Sequence, residues 1–192
     1  MHPQLTKTSV ARRQLTTAIE LFFDGRDVVS IYSLAANAWE VIDVLCIKGA
    51  IVSMSIQARE YVPAGKDLKV DYVNSPHRNF FKHAKSDPYK TIEPLSQTHV
   101  EGLLFLAVED YIRLNRRSPV QLQVFQLWYL AKHPEKLDPA VASELIEGVT
   151  RKFPDLASLP LRNQLAQGAE VIAEALVNES LLADPRTELA FD

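Results

Sequence analysis

The chain has 192 residues, 47% hydrophobic and 23% charged, with 6 Gly, 1 Cys and a formal net charge of −3. That length suits one ordinary domain able to bury its own core, and the composition excludes disordered, collagen-like and disulfide-stapled classes. A negative net charge excludes a protein that coats nucleic acid through bulk charge, and leaves room only for a local basic site.

The first predicted helix is capped by Ser9 and carries Leu15, Ala18, Ile19, Phe22 and Phe23 on one face until Gly25 ends it. A second runs from about Asp27 to Lys48, with Ile31, Leu34, Ala35, Ala38, Ile42, Leu45 and Cys46 in one stripe and Gly49 as its stop. The two form an antiparallel hairpin joined by "DGRD". Cys46 lies on the apolar stripe and reads as a buried thiol rather than a nucleophile.

Residues 50–74 leave helix and extended connector both open. Ser75 and Pro76 then have the look of an N-cap and first helical position, and Pro88 pushes Asp87 out of helical geometry, which bounds a short helix. Further helices follow: one through Val100, Leu104, Val108 and Tyr111 to about Arg116, and one opening at Ser118-Pro119. The next opens at Asp138-Pro139 and runs through Ala142, Leu145 and Val149, and the last begins at about Leu161. Phe125, Trp128, Tyr129 and Phe153 are expected in the core, and Arg12, Arg13, Arg116 and Arg117 at solvated helix ends.

The prediction is an all-α helical bundle forming a single domain over residues 1–192: a core bundle at 10–117, additional helices at 118–182 and a loose tail at 183–192. The N-terminus has no signal-type apolar run, and no uninterrupted apolar stretch reaches the length of about eighteen residues that suggests a membrane span. A soluble, cytoplasmic chain with no membrane partner is expected.

The chemistry-bearing stretch is "SPHRNFFKHAKSDP", residues 75–88. It lies inside a basic region, residues 59–90, where seven Lys or Arg face four acids. With Asn79 at zero on a helical wheel, Arg78 falls near about 260°, Lys82 near about 300°, Ser86 near about 340° and His83 near about 40°, one polar arc opposite Phe80 and Phe81. A guanidinium holds anionic oxygens in a fixed fork, and an imidazole exchanges protons near neutral pH. Arg78 and His83 are thus suited to phosphate chemistry on RNA without a metal: His83 moves the proton of a 2′-hydroxyl or leaving oxygen, and Arg78 stabilises charge on the phosphorus oxygens. Asp87 is placed to orient the His83 ring. No His-x3-His or HExxH pattern marks a metal site, and no cofactor is indicated.

Arg78-Asn79-x3-His83 resembles the motif of the HEPN superfamily, an arginine followed four to six residues later by a histidine. The resemblance implies an all-α bundle that homodimerises so that two motifs line one cleft. It also implies RNA or a nucleotide as ligand, metal-independent endoribonuclease activity in many members and a nucleotidyltransferase-type partner protein. On this reading Arg78 and His83 are catalytic, Asn79 positions them, and Lys82 and Lys85 bind phosphate. The acidic residue of the family's second helix is matched by Glu40 in "SLAANAWEV", although Glu40 lies opposite the Ile31-to-Cys46 stripe, where a solvated glutamate also sits. The alternative is a non-catalytic helical module for protein interaction or dimerisation.

Overall fold

The computed structural model describes residues 4–85, 87–136 and 143–189. Helix α1, Lys7–Phe23, opens on a reciprocal capping box in which Thr6 accepts from the Ser9 amide and Ser9 accepts from the Thr6 amide. Ser9 therefore sits inside the helix, one turn beyond the cap. Helix α2, Val28–Lys48, starts at Asp27, whose carboxylate accepts from the Ser30 amide, and stops at Gly49, as the sequence predicts.

The α1–α2 hairpin carries the fold, because α2 packs most extensively against α1 on one side and against α5, Gln97–Asn115, on the other. An 18-residue window of α2 has a mean hydropathy of 1.4, and its Ile31, Ala35, Trp39, Ile42 and Cys46 are buried inside the bundle. Burial pushes the Cys46 thiol up to about 12, which keeps it protonated, as expected of a core cysteine.

Residues 50–74, whose type the sequence left open, fold into two helical pieces. The short α3, Met54–Arg59, is pinned by polar contacts rather than by an apolar stripe. Ser55 receives the Trp39 indole N–H at 2.8 Å and donates to the buried Asp110 carboxylate at 2.5 Å, while Arg59 forks onto Asp43 at 2.6 and 2.9 Å. The second piece, Leu68–Arg78, is π-helical with a break at Ser75, which is extended and precedes a cis bond to Pro76. It leads directly into the single turn α4, Asn79–Lys82.

Beyond residue 118, α6 (Val120–Lys132), α7 (Ser143–Lys152), α8 (Leu161–Leu176) and the one-turn α9 (Glu179–Leu182) complete the same core. The predicted start of α7 at Asp138-Pro139, with Ala142, lies outside the described residues. Phe22 and Phe23 meet Phe125 and Trp128 with ring centroids 5.2–6.0 Å apart, most of them edge-on. Gly168 of α8 accepts the Phe23 ring so closely that a Cβ there would stand 2.0 Å from it. Phe125, Trp128, Tyr129 and Phe153 are all buried, as expected. A buried Glu101 on α5 accepts from Lys132 of α6 at 2.7 and 2.9 Å, and the same ammonium lies 5.2 Å from the Trp128 ring centre.

The tail is not loose where it is described. Thr187–Glu188 (β2) pairs in parallel with Ser118–Pro119 (β1), the one strand pairing among the described residues. The Glu188 carboxylate is buried against the Tyr111 hydroxyl at 2.8 Å, Arg12 at 3.0 Å and Arg117 at 3.4 Å. Arg12, expected in solvent, is instead half-buried against this carboxylate, whereas Arg117 reaches it from the exposed position expected of it, because a buried anion needs cations and donors around it. Burial, joined by the neighbouring Glu188, raises the Tyr111 phenol far above its usual range.

Candidate functional site

The 75–88 segment is shorter as a helix than its sequence suggests. α4 ends at Lys82, and His83 is already extended, with φ −127° and ψ 111°. Past Phe81 no large apolar side chain follows to anchor another turn: Ala84 and Lys85 are exposed, and an unpacked turn does not sustain itself. The polar arc therefore does not extend past Lys82, and Ser86 lies outside the described residues. Asp87 pairs with Lys90 at 3.7 Å.

Burial within the segment runs against the expected greasy back and polar front. His77 and Arg78 are its buried residues, whereas Phe80 and Phe81 are half-buried. Asn79, Lys82, His83 and Lys85 are exposed.

Arg78 is turned into the molecule. Its Nη1 donates to Asn74 Oδ1 at 2.8 Å, its Nη2 to Asn37 Oδ1 at 2.8 Å, and the guanidinium pairs with Glu40 Oε2 at 2.5 Å. Glu40 also pairs with Lys69. Burial raises the Glu40 carboxyl, but hydrogen bonds from Lys69 and Arg78 outweigh it and hold the group below its ordinary value of 4.5. Glu40 is thus a bridge between two cations rather than a solvated glutamate. Asn37 and Glu40 occupy successive turns of α2, which explains why both reach the same guanidinium.

A cavity of about 400 Å³ opens beside this cluster, lined by Leu5, Lys7, Gln14, Asn37, Glu40 and Arg78 among others. On the other side of the segment is a second cavity of about 360 Å³, between the Leu68–Arg78 stretch and the first half of α5. His77 lines this one, with its Nε2 3.2 Å from the Glu93 carbonyl and its ring 5.9 Å from that of His99.

The structure thus brings Arg78 together with Glu40, Asn37, Asn74 and, through Glu40, Lys69. Lys82, at the last position of α4, and His83 and Lys85 beyond it are exposed. Sequence reasoning missed Asn37 and Asn74 as partners of Arg78, Lys69 as the second cation on Glu40, and His77 and His99 as cavity walls. The one available signal was Glu40, through the resemblance. Among the described residues no group of three or more His, Cys, Asp or Glu side chains is arranged to hold a metal ion. The chain matches no protein-family model, no curated protein and no solved structure.

Proposed function

We propose that the chain is a HEPN-like helical module that binds RNA or a nucleotide, with Lys82, His83 and Lys85 meeting phosphate and Arg78 acting as a positioning residue. The observation that carries this reading is the division of the cationic segment. The guanidinium is neutralised by Glu40 and held by two asparagines, while Lys82 at the last position of α4 and Lys85 beyond the helix stand exposed. A guanidinium already occupied by a carboxylate is a poor phosphate fork, whereas exposed ammonium groups neutralise phosphates and release counterions. Binding is accordingly favoured over cleavage. Strand scission through Arg78 and His83 would require the Arg78–Glu40 pair to open.

The test is RNA affinity as a function of salt. Steep loss of affinity with salt is expected, with the logarithmic slope falling by about one unit in each of Lys82→Ala and Lys85→Ala. Incubation with RNA in chelator, comparing His83→Ala with the unaltered chain, reads out cleavage. Absence of any salt-dependent RNA or nucleotide affinity overturns the reading.

The second reading, a non-catalytic module that dimerises, is favoured by a different observation. Val44 and Ile47 on α2 and Val52 just beyond it are 44%, 53% and 68% exposed. A concentration-dependent dimer in sedimentation, lost in Val44→Asp/Ile47→Asp, together with no RNA affinity, would establish it.

A further inference from the structure

We propose that the 360 Å³ cavity between the Leu68–Arg78 segment and the first half of α5 is a pocket for the base of a nucleotide. This deepens the binding reading above and rests on it.

The walls have the chemistry that a planar heteroaromatic ring needs. Tyr32, Tyr72, His77 and His99 provide ring surfaces, and Leu103 and Leu106 provide apolar ones. The volume falls inside the range of about 300–1,000 Å³ usual for small-molecule sites. Tyr32 is itself locked, donating its hydroxyl to the Val73 carbonyl at 2.9 Å and standing edge-on to His77 at 6.2 Å.

Both imidazoles line the cavity. The Glu93 carbonyl only accepts, so the His77 nitrogen 3.2 Å from it, Nε2, carries the proton, and Nδ1 of the neutral ring is an acceptor. At His99, Nδ1 lies 2.9 Å from the Ser96 hydroxyl, which can donate to it or accept from it, so Nε2 of that ring is a donor in one tautomer and an acceptor in the other. An acceptor at His77 beside a nitrogen at His99 that can take either role suits the alternating edge of a nucleobase.

Gly102 is the independent sign. It lies inside α5 and lines the cavity, and a Cβ built there meets nothing within 4 Å. A glycine in a helix interior is unfavourable relative to alanine, and here neither a positive φ nor a close backbone approach requires it. What its missing side chain does is leave the cavity wall open.

The pocket also connects to the cationic turn. Phe81 packs against Tyr32 at 6.3 Å and His77 at 6.2 Å, and Lys82 and His83 are the residues that follow it. A base held against His77 would leave its phosphate on the side of the chain where those exposed groups begin.

The experiment is calorimetric titration of the full chain with adenosine 5′-monophosphate, cytidine 5′-monophosphate, ribose 5-phosphate and adenosine. A nucleoside monophosphate is expected to bind at least about tenfold more tightly than ribose 5-phosphate, the increment a stacked base supplies. Gly102→Leu, which fills the cavity, should erase that difference while leaving ribose 5-phosphate binding and the helical circular dichroism unchanged. Lys82→Ala/Lys85→Ala should weaken both phosphate ligands alike. Equal affinity for ribose 5-phosphate and both nucleotides, or nucleotide affinity untouched in Gly102→Leu, overturns the pocket and leaves the phosphate-binding reading standing. If no phosphate ligand binds, adenosine decides alone: affinity abolished by Gly102→Leu supports the pocket, and no affinity overturns it.

Discussion

His77 and Arg78 are neighbours in the chain, and they line different cavities. On the Arg78 side the charges satisfy one another: the guanidinium meets Glu40, Asn37 and Asn74, and Glu40 meets Lys69. On the His77 side the rings are held from behind, by Glu93 and Ser96, and each keeps a nitrogen for a further partner. The comparison teaches that a charged cluster beside a cavity can be a clasp of the fold, while the aromatic-lined cavity next to it is the one proposed to take a ligand.

The contrast is broken most severely at Arg78. Arg78→Ala leaves Glu40 with one cation and two asparagines without their donor, so a loss of about 3 kcal/mol in urea unfolding is expected. His77→Ala removes one hydrogen bond to a carbonyl and some ring packing, so about 1–2 kcal/mol is expected. Equal costs would erase the distinction between clasp and wall. A double-mutant cycle of Arg78→Ala with Glu40→Gln should give a coupling of about 1–3 kcal/mol, since the two share one contact.

Acid titration of stability sharpens the comparison with a smaller effect. Glu40 has a folded value below 4.5, so the unfolded chain binds its proton first. Its contribution is fully present above that ordinary value and is lost as pH falls through the lower, folded one. Asp110 is displaced the opposite way: burial raises it above 3.8, outweighing the hydrogen bonds from Ser55. Its cost appears as pH rises past 3.8 and vanishes in acid. Glu40→Gln should therefore make the acid-side decline shallower and Asp110→Asn should make it steeper, both read by unfolding at a series of pH values.

The smallest expected effect is a gain. Gly102→Ala places a methyl group in open space inside a helix, and a stabilisation of about 0.5–1 kcal/mol in thermal unfolding is expected. A loss instead would mean that the glycine serves the helix rather than the cavity.

The elements legible in the sequence are those whose signals are local. Asp27 and Gly49 bracket α2, and the apolar stripe between them names its buried face, because caps and periodicity act over one or two turns. What was hidden depends on partners far along the chain. α3 is held by Asp43, Trp39 and Asp110, and no apolar period announces it. The spacing of Arg78 and His83 on one helical face requires a helix running to Asp87, and the helix stops at Lys82 because a further turn has nothing to pack against. That Glu40, two turns from anything suspicious, bridges Arg78 and Lys69 follows from how α2 lies along the Leu68–Arg78 segment, which spacing does not encode.

The carboxylate of Glu188 meets a guanidinium 176 positions earlier and a phenol 77 positions earlier. During synthesis Arg12, Tyr111 and Arg117 all leave the ribosome well before the group that neutralises and bonds them, so a nascent chain halted short of that glutamate holds polar groups poised for a mate not yet made. Completion of the bundle is consequently tied to the arrival of residues 187–188, and removing them reaches back to the opening turns of the first helix.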